Sequence, residues 1–415
     1  MDGVTGEDDV SDALARHRRR RLPWIAAAMG ATYVALGGVL AVLLPAQVER
    51  IDPDGKVGSL ALVTSVSFAV TLVAQPLVGA LSDRTRARFG GRVPWMLAGA
   101  AAGAAAVALM GWAGAVFALC VLWAVGQFAL NAVDITLSSS LVDEFPRGRR
   151  GGPSGALAAS VAIGTGVGAV LAGVLAASPR VAFATVAAVA LGGALAFALA
   201  GRRVPFRPVV EPAGAAGWMQ GLALHRHPDF VWAVAARFAF TLGQQSVSVY
   251  LLYVLTDHIG VSGGAAPLLV SGLTATGLVG LLVAALVSGW ASDRLGRRRA
   301  LLVAASFVFG FGMLVPVIAP VLPAMFLFAA LQGFGLGMHL SVATALLAEV
   351  LPGRDDHAGR DLGLVNVVVN AAQAIAPALA GAIVLASGGY DALFLFALAA
   401  AAASALAAWR VRGVQ

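Results

Sequence analysis

Read for the alternation of apolar and polar positions, the chain is a train of long apolar runs divided by short polar ones. At roughly 20 apolar residues per bilayer crossing, the runs predict twelve transmembrane helices. They lie at about 24–44, 58–81, 95–112, 116–141, 154–176, 180–200, 230–254, 266–288, 300–320, 323–348, 363–386 and 391–409. The longest connection, 202–229, carries four prolines and separates the first six runs from the last six. The expected organisation is a basic cytosolic tail (1–22), a six-helix bundle (23–201), a cytosolic linker (202–228), a second six-helix bundle (229–410) and a short C-terminal tail (411–415). The expected fold is an all-α integral membrane protein of two pseudo-symmetric halves.

The polar segments also orient it. Of the 28 arginines and lysines, 24 fall in alternate connections and the two tails, leaving Arg50, Lys56, Arg180 and the intramembrane Arg237. Basic residues are retained on the cytosolic side, so both termini are expected there. Trp24, Trp95, Trp232, Trp290 and Trp409 fall near the same predicted ends, where amphipathic rings collect.

Composition then excludes other classes. With 59% hydrophobic and 12% charged residues and a mean hydropathy of +0.86, the chain has too little polar surface for a soluble globule. A lipid bilayer is its surroundings, and the expected location is a bacterial cell membrane. The net charge of +7 reads as a topology signal and not as a nucleic-acid footprint. The basic run Arg18–Arg21 precedes a stretch of span length without a cleavage pattern, which reads as a first span and not as a signal peptide. One cysteine, Cys120, provides no disulfide framework and no cysteine metal site. A phosphate-binding loop needs a lysine, and the one lysine is Lys56, in an outward connection. The glycine-dense run 164–173 lies inside an apolar span and reads as close helix packing. Asp143-Glu144 and Asp355-Asp356 read as surface or gating charges. Nothing points to an enzyme, a cofactor or a metal.

One motif occurs twice, half a chain apart. "GALSDRTRARFGGRVPW" (79–95) contains Gly79, Asp83, Arg84, Arg88 and Arg92, and "GWASDRLGRRR" (289–299) contains Gly289, Asp293, Arg294 and Arg297. Each sits between the second and third span of its half. Arginines there anchor the loop to the cytosolic face, and an aspartate at a span end can face the positive N-terminus of a neighbouring helix, holding one conformation closed. A duplicated set of spans is the build of a secondary transporter whose site lies between rocking halves.

The second copy resembles the Gly-x-x-x-Asp-Arg-x-Gly-Arg-Arg-Arg signature of the major facilitator superfamily. The first copy, with its inserted arginines and closing Pro94-Trp95, is similar to the loop of glycoside-pentoside-hexuronide:cation symporters and sucrose/proton symporter relatives, as are 227–257 and 359–381. The resemblance implies a twelve-helix transporter whose first, fourth, seventh and tenth spans line a central cavity. This chain departs from the melibiose-type members in having no acidic residue at 58–81, and from sucrose-type ones in having Ser138 where an arginine is common. The antiporter motif of the superfamily is only partly matched by Gly164, Gly168 and Gly173, with Ala169 and Ala172 replacing a proline and a glycine. Ala124 stands where drug antiporters carry an arginine before Gln127.

The candidate site lies in polar groups within spans, which are costly in hydrocarbon and face a cavity or a partner. Gln127, Asn131, Asp134 and Ser138 follow a helical stripe, as do Arg237, Thr241, Gln244 and Ser248, with Gln245 alongside. Gln332 and His339 lie two turns apart, and Asn366, Asn370 and Gln373 form a further row. Asp134 is the one acidic residue well inside a span, with Arg237 and His339 at similar depth. Asp134 is expected to couple proton movement to transport, with Arg237 as a switchable partner; a static ion pair is the alternative. His339 is read as a packing or substrate contact, or else a proton carrier. Trp123, Tyr250 or Tyr253 are candidates to stack on a solute ring. The expected function is proton-coupled symport, with sodium also possible, of a sugar-like or other polar small solute by a monomer; the alternative is a proton-coupled antiporter exporting a drug or natural product.

Overall fold

The computed structural model describes residues 4–84, 93–145, 151–201, 227–350 and 358–412, and among them the chain is helical throughout. In chain order the long helices are α1 (Arg21–Ile51), α2 (Lys56–Arg84), α3 (Val93–Met110), α4 (Val116–Glu144), α5 (Gly151–Val174) and α6 (Pro179–Gly201). They continue as α7 (Pro228–Val249), α8 (Ala266–Leu295), α9 (Arg298–Ile318), α10 (Leu322–Val350), α11 (Ala358–Ser387) and α12 (Asp391–Trp409). Eleven of these are each long and apolar enough to cross a membrane, and α7 reaches that length with its continuation Leu251–His258. The protein is therefore a multi-pass integral membrane protein.

The seventh span departs from the sequence expectation of one straight run over 230–254. It breaks at Tyr250 and turns by 51° before continuing to His258. Its last turn, Val254–His258, is widened to π-helical geometry. α1 carries a comparable widening at Val39–Leu43, ending two residues before Pro45. Proline lacks an N–H and crowds the preceding turn, and a π-turn there absorbs both effects. The α8 to α9 connection is also set by local chemistry. Gly296 closes α8 in the left-handed region (φ +62°), where glycine carries no Cβ penalty, so α9 begins two residues later.

Packing partners repeat through the chain. Among the first six helices the pairs are α1 with α4, α5 and α6, α2 with α4, and α3 with α4 and α6. Among the last six, the same list recurs with every number raised by six. The principal contacts between the two sets are α2 with α11 and α5 with α8. Glycine permits the closest of these approaches. A Cβ on Gly164 would fall on the Gly30 carbonyl and one on Gly168 on the Val34 carbonyl, whereas Gly166 and Gly173 face Leu278 and Ser271 of α8. The run 164–173 thus packs one helix against two neighbours, as small residues within membranes do.

The apolar core is joined at one end and divided at the other. At the end nearest Lys56, Val39, Val42, Leu43 and Leu44 of α1 belong to one cluster with Tyr250, Leu252, Val254 and Leu255. Toward the end nearest Arg294 there are two separate clusters. One is built by Ile25, Met29, Met96, Leu137 and Phe197, the other by Phe230, Leu302, Val342, Leu346 and Val365.

Candidate functional site

Asp134, Arg237 and His339 lie about ten residues from the Arg294 end of α4, α7 and α10, roughly 15 Å along each helix at 1.5 Å per residue. Asp134 is half-buried. The Tyr33 hydroxyl donates to its Oδ2 at 3.4 Å and the Ser138 hydroxyl to its Oδ1 at 3.4 Å. Neither contact brings a cation. Arg237, across the divide in α7, is half-buried and has no ion pair and no hydrogen bond among the described residues. The two charges expected to meet are therefore not paired in this conformation.

His339 is wholly buried and its ring stacks on Phe240, with centroids 3.8 Å apart and planes 13° apart. Neither ring nitrogen has a hydrogen-bond partner. Among the described residues the imidazole therefore meets an aromatic face and no hydrogen-bonding side chain or carbonyl.

The other stripe residues sort by depth. On α4, Gln127 and Asn131 are buried, and the Asn131 amide donates to the Gln127 carbonyl at 2.7 Å and to Thr71 of α2 at 3.4 Å. Lower on the same stripe Asp134 is half-buried and Ser138 exposed. On α7, Gln244 donates to the Ser248 hydroxyl at 3.0 Å, and Gln332 of α10 donates to the same oxygen at 3.2 Å. Gln245 and Gln373 are half-buried and Asn366 is exposed. Asn370 donates to Oε1 of Gln75 at 2.9 Å, which ties α11 to α2. The candidate residues thus form separate groups on both sides of the divide.

The aromatic candidates are closed off. Trp123, Tyr250 and Tyr253 are each 0% exposed. The Tyr250 hydroxyl lies 3.1 Å from the carbonyls of both Val57 and Pro377, and Tyr253 donates to Pro45 at 2.9 Å. In this conformation both tyrosines are seam residues between α7 and its neighbours, so no ring face is open to a solute.

Of the repeated loop, Arg88 and Arg92 lie outside the described residues, as do the side chains of Asp83, Arg84 and Asp293. Gly79 is half-buried on α2, and Gly289 approaches Ser341 of α10. Arg294 and Arg297 are exposed, with the Arg294 guanidinium 4.5 Å from the Trp290 ring centroid. Arg299 over Trp409 and Arg410 over Trp232 repeat that arrangement at the same end. Such cation–π pairs suit an interfacial belt.

The sequence reading missed the opposite end. Lys56 Nζ lies 2.6 Å from Glu49 and 2.7 Å from Asp257, linking α1 and α2 to the continuation of α7. Tyr390 donates to the second Asp257 oxygen at 3.0 Å, and Lys56 also sits 4.8 Å from the Tyr253 ring centroid. Burial, reinforced by Asp257, pushes the Tyr390 phenol well above its ordinary pKa. The available signal was that Glu49, Lys56, Asp257 and Tyr390 all fall at span ends on one predicted side.

An all-helical membrane protein with a core joined at one end, divided at the other and charged between its halves has the build of a secondary transporter. The Major Facilitator Superfamily model matches residues 24–283 and 236–414, and the chain belongs to that superfamily. Its members are transporters and not enzymes, and they work by alternating access. Its fold is similar to that of a bacterial homologue of the human lysosomal transporter Spinster, inward-facing and unoccupied, at 15% identity and TM-score 0.72, covering 94% of this chain and 97% of that one. The occupied, inward-facing form of the Spinster homologue aligns with TM-score 0.67 at 15% identity over 94% of both chains. A mutant of the nucleoside transporter NupG aligns with TM-score 0.72 at 12% identity, covering 94% of this chain and 98% of that one. No curated protein sequence matches the chain.

Proposed function

We propose that this protein is a proton-coupled symporter of a small polar solute, with Asp134 as the protonation site and Arg237 as its switchable partner. The observation that carries the reading is the state of these two charges. Each lies within a span, on opposite sides of the divide between α1–α6 and α7–α12, and they are not paired with one another. An unpaired charge at that depth is expensive, so a conformation in which the halves close there favours pairing, proton uptake or ligand binding. Alternating access then becomes the exchange of one form of compensation for another.

Orientation follows from the basic residues. With the Arg294 end cytosolic and the Lys56 end external, the joined core is an outer closure and the divided core is an inward opening between two six-helix halves. The likeness to inward-facing Spinster structures agrees with this assignment. Gln244, Gln245, Gln332, Asn366 and Gln373 supply amide groups for a solute with several hydroxyls, so a sugar-like or other polar solute, neutral or charged, fits this reading. The subgroup resemblance to sugar:cation symporters rests on its three stretches of sequence.

Asp134→Asn tests the coupling. In proteoliposomes with an imposed pH gradient, the variant is expected to lose uphill accumulation while keeping downhill exchange. Full accumulation by the variant sinks the coupling role. Proton release driven by addition of a hydrophobic drug, in place of proton uptake with a polar solute, makes the protein an exporter instead.

A further inference from the structure

We propose that the transported solute is a small organic monoanion whose carboxylate is held by Arg237; this rests on the transport reading above. The guanidinium is a permanent charge with five donors in a planar fork, and among the described residues it has neither an ion-pair partner nor a hydrogen-bond acceptor. The other candidate polar groups at its depth and on its stripe do not pair with it. His339 is a wholly buried ring stacked on Phe240, with both nitrogens unpartnered. Thr241, Gln244 and Ser248 on the same stripe are neutral, and the Gln244 amide is already donated to Ser248. Asp134, the carboxylate at this depth, is engaged by Tyr33 and Ser138. The acceptor that suits a planar fork is a carboxylate, bound through two parallel N–H···O bonds.

Charge balance narrows the class. Arg237 is the one arginine or lysine in α4, α7 and α10 together. A monocarboxylate neutralises it, whereas a phosphate monoester brings up to two negative charges and leaves an excess in the low-dielectric interior. The same balance explains obligatory coupling. The loaded carrier holds the carboxylate on Arg237 and a proton on Asp134, leaving no net charge in the site. The empty carrier reaches the same neutrality by bringing Asp134 to Arg237 as the halves swing. A carrier loaded with only one of the two ligands must carry a lone charge through the closed state, which raises its barrier. One proton accompanies one carboxylate, and transport is electroneutral.

The test uses the purified full-length chain in detergent, with thermal unfolding followed against millimolar lactate, gluconate, benzoate, glucose 6-phosphate, glucose and sucrose. The expected result is stabilisation by at least one of the three carboxylates. In Arg237→Gln the apparent affinity for it falls roughly 10- to 100-fold, the loss for hydrogen bonds to a charged group. Arg237→Lys, which keeps the charge without the fork, retains part of it and guards against misfolding of the neutral variant. Stabilisation by a sugar or the phosphate ester alone, equal carboxylate affinity in Arg237→Gln, or no response to any carboxylate overturns the proposal. Asp134→Asn separates this from the transport reading. Normal uphill accumulation by that variant removes proton coupling through Asp134, while Arg237-dependent binding of a carboxylate still stands.

Discussion

The two charged regions of this transporter are built on opposite principles. At the Lys56 end, one lysine is shared by Glu49 and Asp257, and Tyr390 satisfies the remaining Asp257 oxygen. At the depth of Asp134 and Arg237, opposite charges face the divide without pairing. The first arrangement is complete within the protein and holds the halves together. The second is incomplete, and on the proposed reading a proton, a ligand or the opposite half completes it. Coupling free energies of about 1–3 kcal/mol suffice to shift a two-state protein 5- to 150-fold, so the completeness of each region helps set which end is open.

The largest expected effect comes from making the complete region incomplete. Lys56→Glu removes two short contacts and places a third carboxylate between Glu49 and Asp257. Breaking a buried pair costs about 3–5 kcal/mol and an exposed one about 0.2–1 kcal/mol, so these partly buried contacts should lose on the order of 2–3 kcal/mol, which shifts the closed-to-open ratio of that end by roughly 30- to 150-fold. The measurement is maleimide labelling of a cysteine introduced at Ala61, beneath the cluster, in a Cys120→Ser background. Labelling should accelerate in Lys56→Glu and return toward the parent rate when Asp257→Lys is added. An unchanged rate in the single variant would show that the apolar seam alone closes this end.

A smaller effect is expected at Asn370, whose amide bridges to Gln75 at 2.9 Å. This bond ties α2 to α11 nearer the depth of Asp134 than the Lys56 cluster does. Asn370→Ala should cost about 1 kcal/mol of that contact and raise Ala61-site labelling about fivefold, with the steady-state accumulation ratio unchanged. A loss of accumulation to match would move Asn370 from the seam into the coupling machinery.

The contrast between the regions also separates what the sequence shows from what it conceals. The twelve apolar runs, the duplicated loop and the depth of Asp134, Arg237 and His339 are all legible, because span length, charge retention and helical spacing are local properties. The break at Tyr250 is not, since no proline or glycine stands between Gln244 and His258 to announce the 51° turn. The Lys56 cluster escaped for a different reason. Its four members come from sites as much as 341 positions apart, Glu49 to Tyr390, and a lone lysine in an outward connection reads as topology until the partner helices are placed. Tyr250 and Tyr253 look like solute-stacking rings along the chain. Only the fold reveals that their hydroxyls are engaged by backbone carbonyls across the seam.

The smallest effect sharpens the comparison most, because it leaves every charge at the Lys56 end in place. Tyr390→Phe removes a single neutral donor to Asp257, worth about 0.5–1.5 kcal/mol, and should speed labelling at the Ala61 site two- to tenfold. Its pH behaviour is also fixed. The phenol is raised above its ordinary value of about 10 by burial and by Asp257 in the closed arrangement. A group whose pKa is raised contributes fully below the reference value and is lost only as pH climbs through the raised one. The difference between the parent and Tyr390→Phe should therefore be flat from pH 6 to about 9 and shrink only above about pH 10. A difference that vanishes between pH 6 and 9 would mean that the hydroxyl does not act as a neutral donor to Asp257, and the Lys56 end would then depend on its lysine alone.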